Sequence, residues 1–504
     1  ERTQLLMTHI IFGPPGTGKT TKLIEKVEGY LQRGVDSKKI GYFTFSKNAT
    51  QESHNRMFKN FGLTFDDLPY FRTLHSLGFK QLEYNKESVM KSEHYKEIGK
   101  VCGIEVKYAS WNEDEGGIFH SDCPHLSLIE LARSKNIPIE EQYNMNEHTD
   151  DLDKTEVFRF AKEINNYKRD RKMIDFADMI NELVATKKFP KLKVAFIDEA
   201  QDLSIMQWKV VEGIKNNAEM LYVAGDDDQC IYKWRGANVE SFLNLEGSKE
   251  ILTKSYRVPQ KIFKLADTII NRIAKEKRVQ KTWMPTKQEG LLDYHDDISD
   301  IKFSSGEWLV LGRDRWKLDE FEQHFQDNNI FYERSKKHNP LQDKFEAIDL
   351  YENKLKLGQY LSYDECHSIK KKMLNKHWTN KMFKAMVPNK MYNIEMLKKD
   401  FGLNTDERWQ IALSRIGEND TIKIEDLLKK GESLVRGARI KLATIHGVKG
   451  NEKQNVVLPL CLPKASLDAY EKDPTDEHRL MYVGATRAKQ SLHVIYPKRG
   501  GYQI

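Results

Sequence analysis

Residues 13–21, GPPGTGKTT, place glycines, a lysine and hydroxyls at the Gly-x-x-x-x-Gly-Lys-Thr spacing. Glycines let backbone N–H groups converge on phosphate oxygens, the lysine reaches the outer phosphates, and a hydroxyl can ligate Mg2+. Gly13, Gly16, Thr17, Gly18, Lys19, Thr20 and Thr21 are therefore the candidate nucleotide-binding set, with Thr20 a candidate Mg2+ ligand. Such a loop needs acids, and KVAFIDEAQDL offers Asp198 to hold Mg2+ through water and Glu199 to polarise an attacking water. A third stretch, VAGDDDQCIYKWRGANVE, mixes two chemistries. Gln229 can donate to and accept from a terminal phosphate, whereas Tyr232, Trp234 and Arg235 suit a strand of stacked bases. Asp226, Asp227 and Asp228 read for the most part as a solvated turn.

These groups act together only if strands deliver them to one edge. Apolar runs at residues 9–12, 194–197 and 220–224 each end at one of the three stretches, and a segment of helical period follows the first. Ligand sites in open parallel sheets lie at the C-terminal ends of strands. The expectation is an α/β fold in which three strands bring phosphate loop, acids and Gln229 to a common edge.

At 504 residues the chain exceeds one ordinary core, so two to four domains are expected. Charged residues make up 31% and apolar ones 39%, which excludes a disordered or membrane-embedded class. The net charge of +6 permits a nucleic-acid partner. Five scattered cysteines and no apolar run of membrane length point to a reducing compartment: cytoplasm, or nucleus in a eukaryote. No signal-peptide pattern is read at the N-terminus, and residues 1–6 read either as a tag remnant or as a frayed lead-in to the first strand.

Six stretches, GPPGTGKTT, IDEAQD, GDDDQCIYKWRGA, SYR (255–257), TIHGVKGNE (444–452) and YVGATRA (482–488), occur in one order. Together they resemble the motif series of superfamily 1 DNA helicases of the UvrD/Rep/PcrA type. The resemblance implies two RecA-like P-loop motor domains, parallel sheets flanked by helices, each carrying a mostly helical insertion. It implies an ATP- and Mg2+-dependent motor on single-stranded DNA and single-strand/duplex junctions, moving 3′ to 5′, with accessory repair or replication proteins as partners. Tyr256 would stack on adenine, Arg257 and Arg487 would contact the γ-phosphate from a second domain, and Glu452, after Gly450, would hydrogen-bond the ribose. For DNA it implies Phe45, Tyr232 and Trp234 as base-stacking residues supported by Arg235, with Phe45 gripping on one side and the tyrosine and tryptophan on the other. Thr73 and His75 would lie near the strand's backbone, and Thr444 and His446 would belong to the DNA-coupled motif. A translocase that displaces proteins without unwinding, and an ATP-gated DNA-binding switch, stay open as alternatives.

Motif spacing assigns residues 1–78 and 166–250 to the first motor domain, with 79–165 as its insertion, and 251–335 with 436–504 to the second, with 336–435 as a shortened insertion. Residues 368–390, SIKKKMLNKHWTNKMFKAMVPNK, interleave lysines with Trp378 and Phe383, which fits either a solvated helix or a duplex-backbone contact. Gln4 is too near the phosphate loop for the family's adenine-reading glutamine. Cys102, His120, Cys123 and His125 match no standard zinc spacing. YPKRGGYQI lies where the family's strand-separating hairpin would form, with Tyr502 as candidate tip and no returning strand.

Overall fold

The computed structural model describes residues 7–45, 47–112, 118–145, 152–303, 305–334, 340–388, 390–433 and 438–504. Gln4 lies outside them. The chain folds as two compact units, 1–288 with 473–482, and 289–472 with 483–504.

In the first unit, β1 (Met7–Phe12), β2 (Ile40–Thr44), β3 (Phe71–Thr73), β6 (Leu192–Ile197), β7 (Ala218–Gly225) and β8 (Ser248–Ile251) form one parallel sheet. Its order is β3-β2-β6-β7-β1-β8. Helices cover both faces, so central strands are apolar on both sides, and successive residues feed opposite cores: Ile10 and Phe12 enter one, Ile11 the other. Each such side chain contributes about 1.5–3 kcal/mol of burial. A hairpin, β4 (Ala109–Asn112) and β5 (Ile118–Ser121), belongs to an inserted segment with its own core of Tyr95, Leu126, Ile129, Phe160 and Ile164.

That insertion is fastened to the helix Phe176–Thr186 by buried charge. Asp175 caps the helix and receives two hydrogen bonds from Arg133, at 2.7 and 2.9 Å, and one from Lys168 at 2.8 Å. Burial opposes ionisation of Asp175, but the two cations win and hold its carboxyl well below the usual range.

In the second unit, β9 (Leu291–His295), β10 (Trp308–Gly312), β11 (Glu333–Arg334), β14 (Ile440–Thr444), β15 (Lys453–Pro459) and β16 (Ala488–Ile495) make a parallel sheet ordered β11-β14-β10-β15-β16-β9. Its insertion holds a short antiparallel pair of strands, β12 (Leu361–Ser362) and β13 (Met391–Tyr392), over an apolar core. The molecule therefore carries two parallel six-stranded sheets flanked by helices, the RecA-like pair expected of its motifs. No described helix is long and apolar enough to cross a membrane.

Several sequence expectations change here. β8 joins the first sheet and residues 251–288 group with the first unit, although the motif spacing began the second domain at 251. Trp378 is fully buried and its indole N–H donates to Phe401 O at 2.8 Å, and Phe383 packs beside it, so these aromatics are core, while Lys371, Lys376, Lys381 and Lys384 around them are exposed. Lys370 is itself buried. Tyr502 is 1% exposed and its backbone N–H donates to Leu460 O, which rules it out as a protruding tip. The cysteines and histidines considered for zinc do not converge: Cys123 meets only His125, at 3.9 Å, and His120 faces Arg235.

Candidate active site

The phosphate loop leaves β1 with Gly13, whose N–H donates to Gly225 O at 3.0 Å. Gly16 and Gly18 adopt φ of 71° and 80°, a region only glycine enters at low cost, and Gly18 opens the helix Lys19–Gln32. A Cβ on Gly13 would stand 2.0 Å from Lys19 Cγ, so the loop is closed tightly around this lysine. Lys19 Nζ donates to Gly13 O at 2.7 Å, and Thr17 Oγ1 donates to Pro14 O at 2.7 Å. A polyphosphate offers Lys19 a charged acceptor in place of a neutral carbonyl, so glycine cradle, lysine and helix N-terminus fit that ligand. Thr21, next along, is exposed on the first turn.

The acids stand opposite. Thr20 Oγ1 donates to Asp198 Oδ2 at 2.7 Å and Tyr42 O–H donates to the same oxygen at 3.0 Å. An oxygen pair of hydroxyl and carboxylate suits Mg2+. Burial, then the neighbouring Glu199 charge, push the Asp198 carboxyl up to about 6. Glu199 sits at φ 54°, a left-handed backbone that costs a non-glycine residue roughly 1–3 kcal/mol and clusters at functional sites.

Gln201 is the residue sequence reasoning passed over. Wholly buried, it donates from Nε2 to Glu199 Oε2 at 2.6 Å and accepts at Oε1 from Asp226 N–H at 2.9 Å. Asp226 Oδ2 in turn accepts from Gln229 Nε2 at 2.6 Å. One unbroken chain of hydrogen bonds thus connects Glu199 to Gln229. A Cβ at Gly225 would come 2.6 Å from Gln201 Oε1, which explains a glycine at the end of β7.

Asp226, Asp227 and Asp228 overturn the solvated-turn expectation. Their exposures are 0%, 0% and 1%, because Lys281 Nζ lies 3.3, 2.5 and 2.9 Å from their carboxylates. Arg278 adds a two-pronged pair to Asp228 at 2.7 Å each. Burial pushes Asp227 up to about 6 against the pull of Lys281, whereas Asp228, holding both cations, stays below the usual range. Nothing in the local sequence marks Lys281 or Arg278, which lie 54 and 50 residues from the acids Asp227 and Asp228 that they pair.

The segment 255–257 is hydrogen-bonded to the phosphate loop: Ser255 Oγ donates to Pro15 O and Tyr256 N–H donates to Gly16 O, both at 2.8 Å. Arg257 packs against Gly16, where a Cβ would lie 2.5 Å from its own. Arg257 therefore belongs to the unit of Lys19, which corrects its expected place on a second domain. Tyr256 is 71% exposed, with Lys254 Nζ 5.1 Å over its ring, a free face of the size a base needs.

The DNA-facing candidates divide. Trp234 is 55% exposed and the Arg235 guanidinium lies 4.1 Å over its ring while meeting both ring nitrogens of His120 at 3.3 Å. Tyr232, only 5% exposed, stacks on Phe45 with centroids 5.9 Å apart. These two rings form one layer, so they are not grips on opposite sides, and Tyr232 supports the layer from below. Thr73 uses its hydroxyl to cap the helix Leu74–Gln81. His75 is buried against Phe176 and Trp111, and burial pushes its imidazole down to about 4, so it carries no charge for a phosphate at neutral pH.

In the second unit Thr444 ends β14 and its Oγ1 accepts from Gly447 N–H at 3.2 Å, with half-buried His446 in the turn between them. Gly450 has φ 89°, and Glu452 pairs with Lys489 at 3.2 Å. Arg487 is 2% exposed, its Nε donating to Val483 O at 3.1 Å.

A phosphate loop and an acid pair on the edge of a parallel sheet, with a second parallel sheet in the same chain, define a P-loop nucleotide-binding class. Two family models sharpen this: the UvrD/REP helicase N-terminal domain matches residues 3–250 and the UvrD-like helicase C-terminal domain matches residues 317–499. The chain belongs to the UvrD/Rep helicase family. Among its relatives, the ATP-dependent DNA helicase Rep of Buchnera aphidicola (subsp. Baizongia pistaciae) is 24% identical over 284 residues, 52% of this chain and 40% of that protein. A probable DNA helicase of Mycoplasma pneumoniae is 25% identical over 304 residues, 54% of each chain. ATP-dependent DNA helicase UvrD1 of Mycobacterium leprae is 26% identical over 292 residues, 52% and 37%. The chain thus matches about half or less of the length of these relatives. Arterivirus nonstructural protein 10 (helicase) covers 97% of this chain, and 59% of its own, at 11% identity and a TM-score of 0.34, too slight a likeness to bear on the fold.

Proposed function

We propose that the chain is a DNA-dependent ATPase that moves along single-stranded DNA, 3′ to 5′, and couples ATP hydrolysis to separation of duplex at single-strand/duplex junctions. One observation carries this reading: the hydrogen-bond chain from Glu199 through Gln201 and Asp226 to Gln229 ends in the loop that presents Trp234. A shift of Gln229 at the terminal phosphate is therefore felt at a base-sized, half-exposed tryptophan. Coupling of ATPase to DNA needs such a shared element.

In this reading Gly13, Gly16, Thr17, Gly18 and Lys19 hold the phosphates, with Thr21 at the same helix start, and Tyr256 stacks on the adenine. Thr20 and Asp198 would hold Mg2+, which supplies charge neutralisation to the phosphates and the leaving group. Glu199 accepts the proton of the attacking water, its carboxylate held by Gln201. Gln229, Arg257 and Arg487 stabilise negative charge on the transferred phosphoryl group; Glu452 and Gly450 serve the ribose. Trp234 stacks on a base, and Arg235 and the layer of Phe45 and Tyr232 hold it in place. Thr444 and His446 serve the strand from the second unit. Thr73 and His75 lie near the strand's backbone in this reading: the Thr73 hydroxyl caps its helix as an acceptor and keeps its proton to donate, and His75 acts as a neutral ring. Residues near 79–165 and 336–435 are proposed as the two insertion domains, and accessory repair or replication proteins as partners in the cytoplasm.

A second reading, translocation that displaces bound proteins without unwinding, is favoured by the buried position of Tyr502. Strand displacement from 3′-tailed and 5′-tailed duplexes, beside streptavidin displacement from biotinylated single strands, separates the two. Unwinding of the 3′-tailed duplex alone is the expected result. ATP hydrolysis that DNA does not stimulate would end both readings.

A further inference from the structure

Outside the motor site, three side chains on two neighbouring strands of the second sheet point their ligating atoms at one another. β9 is the edge strand and β16 its parallel neighbour, with His493 directly opposite Asp293 and His295 one step along the same face. His295 Nε2 lies 3.0 Å from His493 Nδ1 and 3.5 Å from Asp293 Oδ2. All three ligating atoms fall within 4.8 Å of one another. We propose that Asp293, His295 and His493 form a binding site for a divalent transition-metal ion of the zinc type, which ties the edge strand to the sheet. This site is independent of the motor reading.

Neighbouring hydrogen bonds fix where the protons are. Asn455 Nδ2 donates to Glu307 O at 3.2 Å, which orients its amide and turns Oδ1 toward Ser491. The Ser491 hydroxyl donates to that Oδ1 at 2.6 Å, so its oxygen is left to accept from His493 Nε2–H at 3.2 Å. His493 is thereby held in the tautomer whose Nδ1 carries a bare lone pair, and that lone pair faces His295 Nε2. Without a metal one proton fills the gap between the two nitrogens; an ion can take its place.

The spacing agrees with that exchange. Zinc–nitrogen and zinc–oxygen bonds of about 2.0–2.2 Å at tetrahedral angles put donor atoms about 3.3 Å apart. The two separations from His295, 3.0 and 3.5 Å, bracket this value. Metal-bound histidines give their second N–H to a polar partner that orients the ring, and His493 does so through Ser491 and Asn455. The Trp308 ring, 5.2 Å from that of His493, walls the inner side, and His295 is 10% exposed while Asp293 is 51% exposed. Two imidazoles and one carboxylate suit zinc and leave a fourth position for water.

The test is zinc stoichiometry of the full chain. Protein stripped with chelator, equilibrated with micromolar Zn2+ and desalted is expected to retain one zinc per chain by elemental analysis. His295→Gln should weaken retention at least tenfold and Asp293→Asn by a smaller factor, with circular dichroism unchanged. Cobalt in place of zinc should give visible bands in the wild type that are absent from His295→Gln. The proposal is overturned if the wild type retains no more zinc than His295→Gln, or if the Asp293→Asn/His295→Gln double variant keeps its zinc. Either result would leave a hydrogen-bonded histidine pair only.

Discussion

Replacing Lys281 by methionine removes one charge from a sealed cluster and keeps the volume. In the native protein two cations face three carboxylates, all at 0–2% side-chain exposure. Without Lys281, Asp228 keeps Arg278, Asp226 keeps Gln229 Nε2, and Asp227 keeps only the Val279 N–H at 2.9 Å. Removing one partner of a buried pair costs about 3–5 kcal/mol. Protonation limits that loss, because Asp227 already stands near 6 with Lys281 in place and must rise further without it. Linkage sets the sign. A carboxyl raised in the folded state binds more protons there than when unfolded, so it favours folding at low pH and loses that contribution as pH rises through its folded pKa. In the native protein this loss runs from the ordinary range near 4 to about 6; in Lys281→Met it continues upward. The deficit of the variant should therefore grow by about 2 kcal/mol between pH 6 and pH 8, at about 1.4 kcal/mol for each pH unit of unequal proton binding. Urea denaturation at the two pH values, read from the midpoint at constant slope, measures it. ATP turnover should fall with little change in KM, because Asp226 loses the Lys281 charge that helps fix the carboxylate to which Gln229 donates. A deficit below about 1 kcal/mol, or one equal at both pH values, would refute this account of the cluster.

Other substitutions test the remaining parts. Trp234→Ala is expected to lower DNA-stimulated ATPase and unwinding tenfold or more, in keeping with about 1–3 kcal/mol per stacked base, while fluorescent-nucleotide affinity stays within twofold. Tyr256→Ala should raise KM for ATP several-fold and leave kcat near native, since an exposed ring that stacks on adenine binds ground and transition states alike. His75 is depressed to about 4 by burial, so the unfolded state takes up its proton first and stability is lost as pH falls from 6.5 toward 4. His75→Leu should recover up to about 3 kcal/mol of that acid loss in denaturation at pH 4.5, relative to pH 7.5. Charge reversal of Lys376, Lys381 and Lys384, all exposed, should flatten the salt dependence of duplex binding if this face meets phosphate; an unchanged slope assigns the lysines to solvation alone.

Local rules made the three strands, the phosphate loop and the acid pair legible in the sequence, because strand periodicity and a glycine-rich turn depend on neighbours within a few residues. Gly16 and Gly18 needed positive φ and the sequence supplied glycine; β1, β6 and β7 were plain as apolar runs. Family membership was legible for the same reason, each motif being a short contiguous string. Side-chain partners were not. Whether Asp227 is solvated or sealed depends on Lys281, 54 residues away, and whether Trp378 faces DNA or a core depends on helices that meet it only after folding. Tyr232 and Trp234, two positions apart and alike in type, divide into support and platform because Phe45 covers the first while the second stays more than half exposed. Sequence alone decided which groups this chain owns and which strand ends carry them. Burial and long-range charge pairing, which exist only in the packed state, decided which of them are free to act.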